Sequence, residues 1–90
     1  MIKFPFSRFM VKDKSMEPMF VEFDRVLTIN YGTIQKGSII VFRQGANYLI
    51  KRVKDVGGDN IIAVSDNKIL ATKQYTVKRV DVIGRVFLKY

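Results

Sequence analysis

Apolar positions in this chain fall in short runs, and turn residues separate the runs. Five of them, RVLTINY (25–31), SIIVFR (38–43), NYLIKRVK (47–54), NIIAVS (60–65) and DVIGRVFLKY (81–90), are rich in valine, isoleucine and aromatics, the composition of strands. Turn signals stand between them at Tyr31-Gly32, Lys36-Gly37, Gln44-Gly45, Gly57-Gly58-Asp59 and Asp66-Asn67. No stretch holds a helical period. The opening MIKFPFSRFMV reads as a first strand with core side chains, whereas ATKQYTVKRVD (71–81) shows no clear pattern. Short strands at regular spacing predict an all-β fold of coiled antiparallel sheets, barrel-like in outline, in a single domain over 1–90.

Alternation inside NYLIKRVK singles out one residue. On a strand, Leu49, Lys51 and Val53 share one face, and Tyr48, Ile50, Arg52 and Lys54 share the other. Lys51 is thus a cation in an apolar triplet. One reading is a stem that packs while its ammonium reaches water. The other is a buried amine whose pKa is lowered, able to take a proton near neutral pH.

Composition narrows the chemistry. The chain is 48% hydrophobic, which fits a folded globule rather than a disordered tail. It has no cysteine and no histidine, which excludes disulfides, cysteine nucleophiles, most zinc sites and any serine-histidine-aspartate triad. No metal or other cofactor is expected. A hydrolase built on this sequence needs a lysine or a carboxylate as its base. The net charge of +8 admits an anionic partner. The cations are spread along the chain, however, which argues against nucleic acid. A nucleic-acid-binding barrel would use Tyr31, Tyr48 and Phe42 as stacking surfaces, yet most of these aromatics sit in apolar strands. No apolar run approaches the about 20 residues that cross a bilayer. A soluble chain is expected, cytoplasmic or peripheral at a membrane that Phe4, Phe6 and Phe9 would touch.

Ser15, in KDKSMEPM, is the candidate nucleophile. A serine-lysine dyad suits a chain without histidine and requires the hydroxyl within reach of the amine. Lys14 is adjacent but points away from Ser15 in an extended segment. Lys51, on a strand, can face the serine directly.

SMEP with a downstream YLIKRV resembles the serine-lysine peptidases, the type I signal peptidases and the LexA-like autopeptidases. Further segments follow in the family's order. EFDRVLT is similar to Gly-Asp-x-Val, with Phe23 for glycine. KGSIIVFR is similar to Gly-Asp-Ile-Val-Val-Phe, with Ser38 for aspartate. KRVKDVGGDN resembles Lys-Arg-Val followed by Pro-Gly-Asp, VSDNK resembles Gly-Asp-Asn, and VIGRV resembles the closing Gly-Arg-Val strand. Together they cover roughly residues 9 to 88.

The resemblance implies Ser15 as nucleophile and Lys51 as general base, with Arg52 and Asp66 in support. It implies that the Ser15 N–H helps hold the oxyanion, that Met16 packs beneath the cleft and that Pro18 fixes the turn leaving it. The partner it implies is an extended polypeptide docked on a sheet edge, and the activity is removal of a leader or pro-segment. With no Ala-Gly bond before Ser15 and no room for a helix-turn-helix, a self-cleaving repressor is not expected. A relative that binds peptides without cleaving them is the alternative.

Two positions depart from the family pattern. Glycine commonly stands two residues before the nucleophile, and here it is Asp13. An ionised carboxylate donates no hydrogen bond, and near Lys51 it favours the protonated amine. Asp13 therefore points elsewhere, or the site is damaged or tuned differently. The serine that orients the lysine in signal peptidases corresponds to Ala71, leaving Thr72 as the substitute.

Overall fold

A computed structural model describes residues 5–67 and 73–90. Seven strands form: β1 (Phe6–Met10), β2 (Arg25–Ile29), β3 (Ile39–Gln44), β4 (Asn47–Val56), β5 (Asn60–Val64), β6 (Gln74–Lys78) and β7 (Val82–Lys89). A single 3-10 turn, Arg79–Asp81, enters β7. All pairings are antiparallel, in the order β1-β2-β7-β3-β4-β5-β6. The all-β antiparallel expectation holds. The strands make one open sheet, with β1 and β6 at its ends.

The predicted runs map onto β2, β3, β4, β5 and β7. The unread stretch supplies β6, whose partner is β5. It escaped notice because Tyr75 and Val77 alone mark its inward face: QYTVK is an end strand with one neighbour.

Alternation splits the core in two. Ile40 and Phe42 of β3, Val53 of β4, Ile61 and Ala63 of β5 and Val77 of β6 form one cluster. Val11, Met16, Phe20 and Val26 form the second, packed against Phe9, Ile39, Ile50 and Val86. Ile39 and Ile40 are successive residues of one pleated strand, so the clusters lie on opposite faces of the sheet. The segment between β1 and β2, which carries Ser15, covers the second cluster.

Two local features fix the frame. Gln44 pairs with Asn47 across a two-residue turn, where Gly45 takes φ +60°, a conformation that suits a tight hairpin. On β7, Gly84 lies against β2. A Cβ there would stand 2.7 Å from the Ile29 carbonyl oxygen and closer still to Asn30 Oδ1. That Asn30 belongs to a polar network threaded under the sheet end. Thr28 Oγ1 donates to Asn30 Oδ1 at 2.7 Å, and Asn30 Nδ2 donates to Ser7 Oγ at 2.7 Å. Thr28 and Asn30 are buried, and the bonds satisfy polar atoms that burial would otherwise penalise.

Candidate active site

Lys51 follows its strand pattern. It pairs with Ile40 across the β3–β4 ladder and therefore shares the face of Leu49 and Val53. Only 3% of its surface is exposed, so the ammonium does not escape to water. Nζ lies 2.6 Å from Ser15 Oγ, to which it donates a hydrogen bond. The structure thus brings together two residues 36 apart in sequence. Among the described residues β5 pairs with β4 only from Arg52 onwards, and the Ser15 loop meets Lys51 just beyond that ladder.

The Ser15 loop is a turn rather than the extended segment expected. Glu17 N–H donates to the Lys14 carbonyl at 3.2 Å, and Phe20 N–H donates to the Met16 carbonyl at 3.0 Å. Met16 anchors it, 1% exposed in the second core. Pro18 lies inside the turn after a cis Glu17–Pro18 peptide bond. Asn67 clamps the loop twice: its N–H donates to the Ser15 carbonyl at 2.8 Å, and its Nδ2 donates to the Lys14 carbonyl at 2.9 Å.

Arg52, next to Lys51 but on the opposite face, holds the clamp. Nε and one terminal nitrogen reach the two Asp66 carboxylate oxygens at 2.7 and 2.8 Å, a bidentate pair. The other terminal nitrogen donates to the Gly37 carbonyl at 2.8 Å. The Asp66 N–H also donates to Met16 Sδ at 3.4 Å. The Lys-Arg dipeptide therefore does two jobs through strand alternation. Lys51 meets the hydroxyl, and Arg52 fixes the Asp66-Asn67 corner that holds the Ser15 backbone.

Asp13 does not point away. Its Oδ1 accepts from the Ser15 N–H at 3.0 Å and from Ser15 Oγ at 2.8 Å. Burial pushes the Asp13 pKa up, but the two Ser15 hydrogen bonds and the nearby Lys51 charge outweigh it and leave it below the usual value. Burial lowers the Lys51 pKa from the ordinary 10.5, and the Asp13 charge opposes part of that shift. The Ser15 N–H, expected to face an oxyanion, is committed to Asp13 instead. The reason is proximity: a carboxylate two residues back reaches both donors of the serine.

Two contributors escaped the sequence reading. Asn67 was visible only as the end of a motif. Tyr75 lay in the unread stretch; its ring centroid is 5.4 Å from Lys51 Nζ and 4.9 Å from Lys73 Nζ, and it packs on Phe42. Ala71 and Thr72 lie outside the described residues.

A groove of about 300 Å³ runs beside the Ser15–Lys51 pair, its walls including Phe9, Val11, Asp13, Met16, Tyr48 and Ile50. β1 has one strand neighbour, and β4 lacks a β5 partner over Asn47–Lys51, so among the described residues open strand edges flank the groove. Phe9 and Tyr48 approach across it with ring centroids 5.4 Å apart.

The proposed stacking residues separate: Tyr31 and Tyr48 are exposed, whereas Phe42 is 2% exposed in the core. Of the N-terminal aromatics, Phe4 lies outside the described residues and Phe9 packs on the second core. Phe6 is 52% exposed against Phe87, so this first strand is only partly a core strand. Among the described residues no helix is long and apolar enough to cross a membrane, and no cluster of histidine, cysteine and carboxylate side chains can hold a metal.

No curated protein matches the sequence. A family model does: Peptidase S24-like, over residues 7–87, a span that holds Ser15, Lys51, the Asp66-Asn67 corner and every strand but the ends of β1 and β7. Its agreement with the all-β sheet places the chain in the LexA and signal peptidase-like superfamily. This protein belongs to the Peptidase S24-like family.

Proposed function

We propose that this protein is a serine endopeptidase that removes a leader or pro-segment from a protein substrate, with Ser15 as nucleophile and Lys51 as general base. One observation carries the reading: a buried lysine, 3% exposed, lies 2.6 Å from a serine hydroxyl at the side of a groove. A buried amine with a lowered pKa is a usable base, and this one has its proton donor already in reach.

The chemistry follows from the atoms. Neutral Lys51 takes the Oγ proton as Oγ bonds to the scissile carbonyl carbon. The carbonyl oxygen becomes an oxyanion and requires the Ser15 N–H. Collapse expels the amine, which receives the proton from Lys51. Water, deprotonated by the same lysine, then hydrolyses the acyl-serine. An extended peptide would bind in the groove by pairing its main chain with the open edges of β1 and β4. Val11, Met16 and Ile50 leave a shallow apolar floor suited to small side chains next to the cleaved bond.

The Asp13 contact favours the second reading, a peptide-binding relative that does not cut. Acylation of Ser15 by a serine-directed probe, located by mass spectrometry, separates the two. The peptidase reading expects labelling that Ser15→Ala and Lys51→Ala both abolish. Labelling of Lys51→Ala at the parent rate would remove Lys51 as base.

A further inference from the structure

The oxygen of Asp13 that meets Ser15 occupies a chemically specific place. Acyl transfer at Ser15 needs its N–H for the oxyanion and needs its hydroxyl proton to leave towards Lys51. Oδ1 accepts from both donors, at 3.0 and 2.8 Å. It is a negatively charged oxygen, within the distance that an oxyanion keeps from its donor. It also sets the direction of the hydrogen-bond chain. Lys51 donates to Oγ, and Oγ donates to Asp13, so the serine proton points away from the base.

We propose that Asp13 is a built-in stand-in for the oxyanion, which a peptide laid in the groove must expel before Ser15 is acylated. The inference rests on the serine-lysine reading and makes Asp13 a specificity-determining residue within it. The substrate carbonyl and the Asp13 carboxylate compete for one N–H, and two negative oxygens do not share it. A long peptide that pairs with the groove edges supplies the binding energy to displace the carboxylate. A short acyl group does not. Asp13 itself lines the groove and is exposed, so it has room to swing out.

Expulsion also resets the base. The groups facing Lys51 Nζ are the Ser15 hydroxyl, the Asp13 carboxylate and the Tyr75 ring, with Lys73 lying against that ring. Asp13 is the sole anion in this set, and it favours the protonated lysine. Moving it away frees the N–H, releases the hydroxyl proton and makes the neutral amine easier to reach, all in one displacement.

The test compares Asp13→Ala with the parent on two activated esters sharing one acyl carbon, a short one and one extended by a peptide long enough to fill the groove. The rate of Ser15 acylation is followed by mass spectrometry across pH, with thermal unfolding to check the fold. Loss of a charged hydrogen bond predicts that Asp13→Ala acylates with the short ester about tenfold faster or more. The gain with the long ester is smaller, and the rise of rate with pH moves to lower pH. Asp13→Asn, which keeps an acceptor oxygen without the charge, falls between. Equal gains with both esters, or none, overturn the proposal and leave the dyad standing if Lys51→Ala still abolishes acylation. No acylation of Ser15 in any form overturns both.

Discussion

Replacing Lys51 by methionine separates the stability of this fold from its chemistry. Lys51 is 3% exposed, and among the described residues its ammonium meets one hydrogen-bond acceptor, Ser15 Oγ. Methionine has nearly the same length, carries no charge and adapts to the same slot. Exchanging buried ionic groups for apolar ones of similar volume is neutral to stabilising by about 1–4 kcal/mol. Setting about 1 kcal/mol against that for the lost Ser15 bond leaves a gain of about 0–3 kcal/mol, centred on roughly 1–2 kcal/mol. In a domain of this size each kcal/mol moves the melting temperature by about 4–8 °C, so a rise of roughly 5–15 °C is expected. The gain depends on pH with a definite sign. The folded-state pKa lies below the ordinary 10.5, so the unfolded chain holds more protons between the two values and the parent gains stability as pH rises through that window. The advantage of Lys51→Met is therefore largest below the folded pKa and shrinks as pH approaches 10.5. Urea unfolding at pH 7 and pH 10, with the acylation assay alongside, measures both sides. A variant less stable than the parent at pH 7, or an advantage that grows with pH, would refute the reasoning.

Other outcomes follow from the same geometry. Ser15→Ala abolishes acylation and costs about 1–3 kcal/mol in urea titration at neutral pH, because the buried Lys51 ammonium loses the one acceptor it meets among the described residues. Arg52→Ala breaks the bidentate Asp66 contact and the Gly37 bond, costing about 1–3 kcal/mol in urea titration. It also lowers kcat more than it raises KM, since the Asn67 clamp on Ser15 loses its support; an unchanged kcat would detach that corner from the chemistry. In the parent, kcat/KM rises with pH as Lys51 loses its proton, with a midpoint below 10.5. A profile flat across that range would exclude a titrating lysine base. Gly84→Ala forces a Cβ against the Ile29 carbonyl and Asn30, costing about 2–3 kcal/mol, which calorimetry reads as a lowered melting temperature.

Strand periodicity was legible wherever a strand buries a face between two neighbours, as β3 and β4 do. The same rule picked out Lys51, because an ammonium in an apolar triplet breaks a local pattern. β6 was not legible, since an end strand with two inward side chains carries little pattern. The pairing of Ser15 with Lys51 came from the absence of histidine and cysteine and then from resemblance, because no local rule sets a contact between a loop and a strand 36 residues away. The direction of Asp13 was not legible at all. An exposed carboxylate two residues from a serine has many rotamers, and the turn at residues 14–20 selects the one that meets both serine donors. Tyr75 and Asn67 were hidden for the reason that hides most supporting residues: their role depends on a corner assembled from distant segments.

The strand order also sets a timetable. Ser15 is tied to β1 and β2, and Lys51 to the β3–β6 meander; in the hydrogen-bonded ladder the two parts meet only through β7, which lies between β2 and β3. Of these seven strands, β7 is made last. Until β7 is made, the ribbon that carries Ser15 and the sheet that carries Lys51 have no ladder to join them. The frame that holds the Ser15–Lys51 contact in register is therefore complete only once synthesis has passed residue 89.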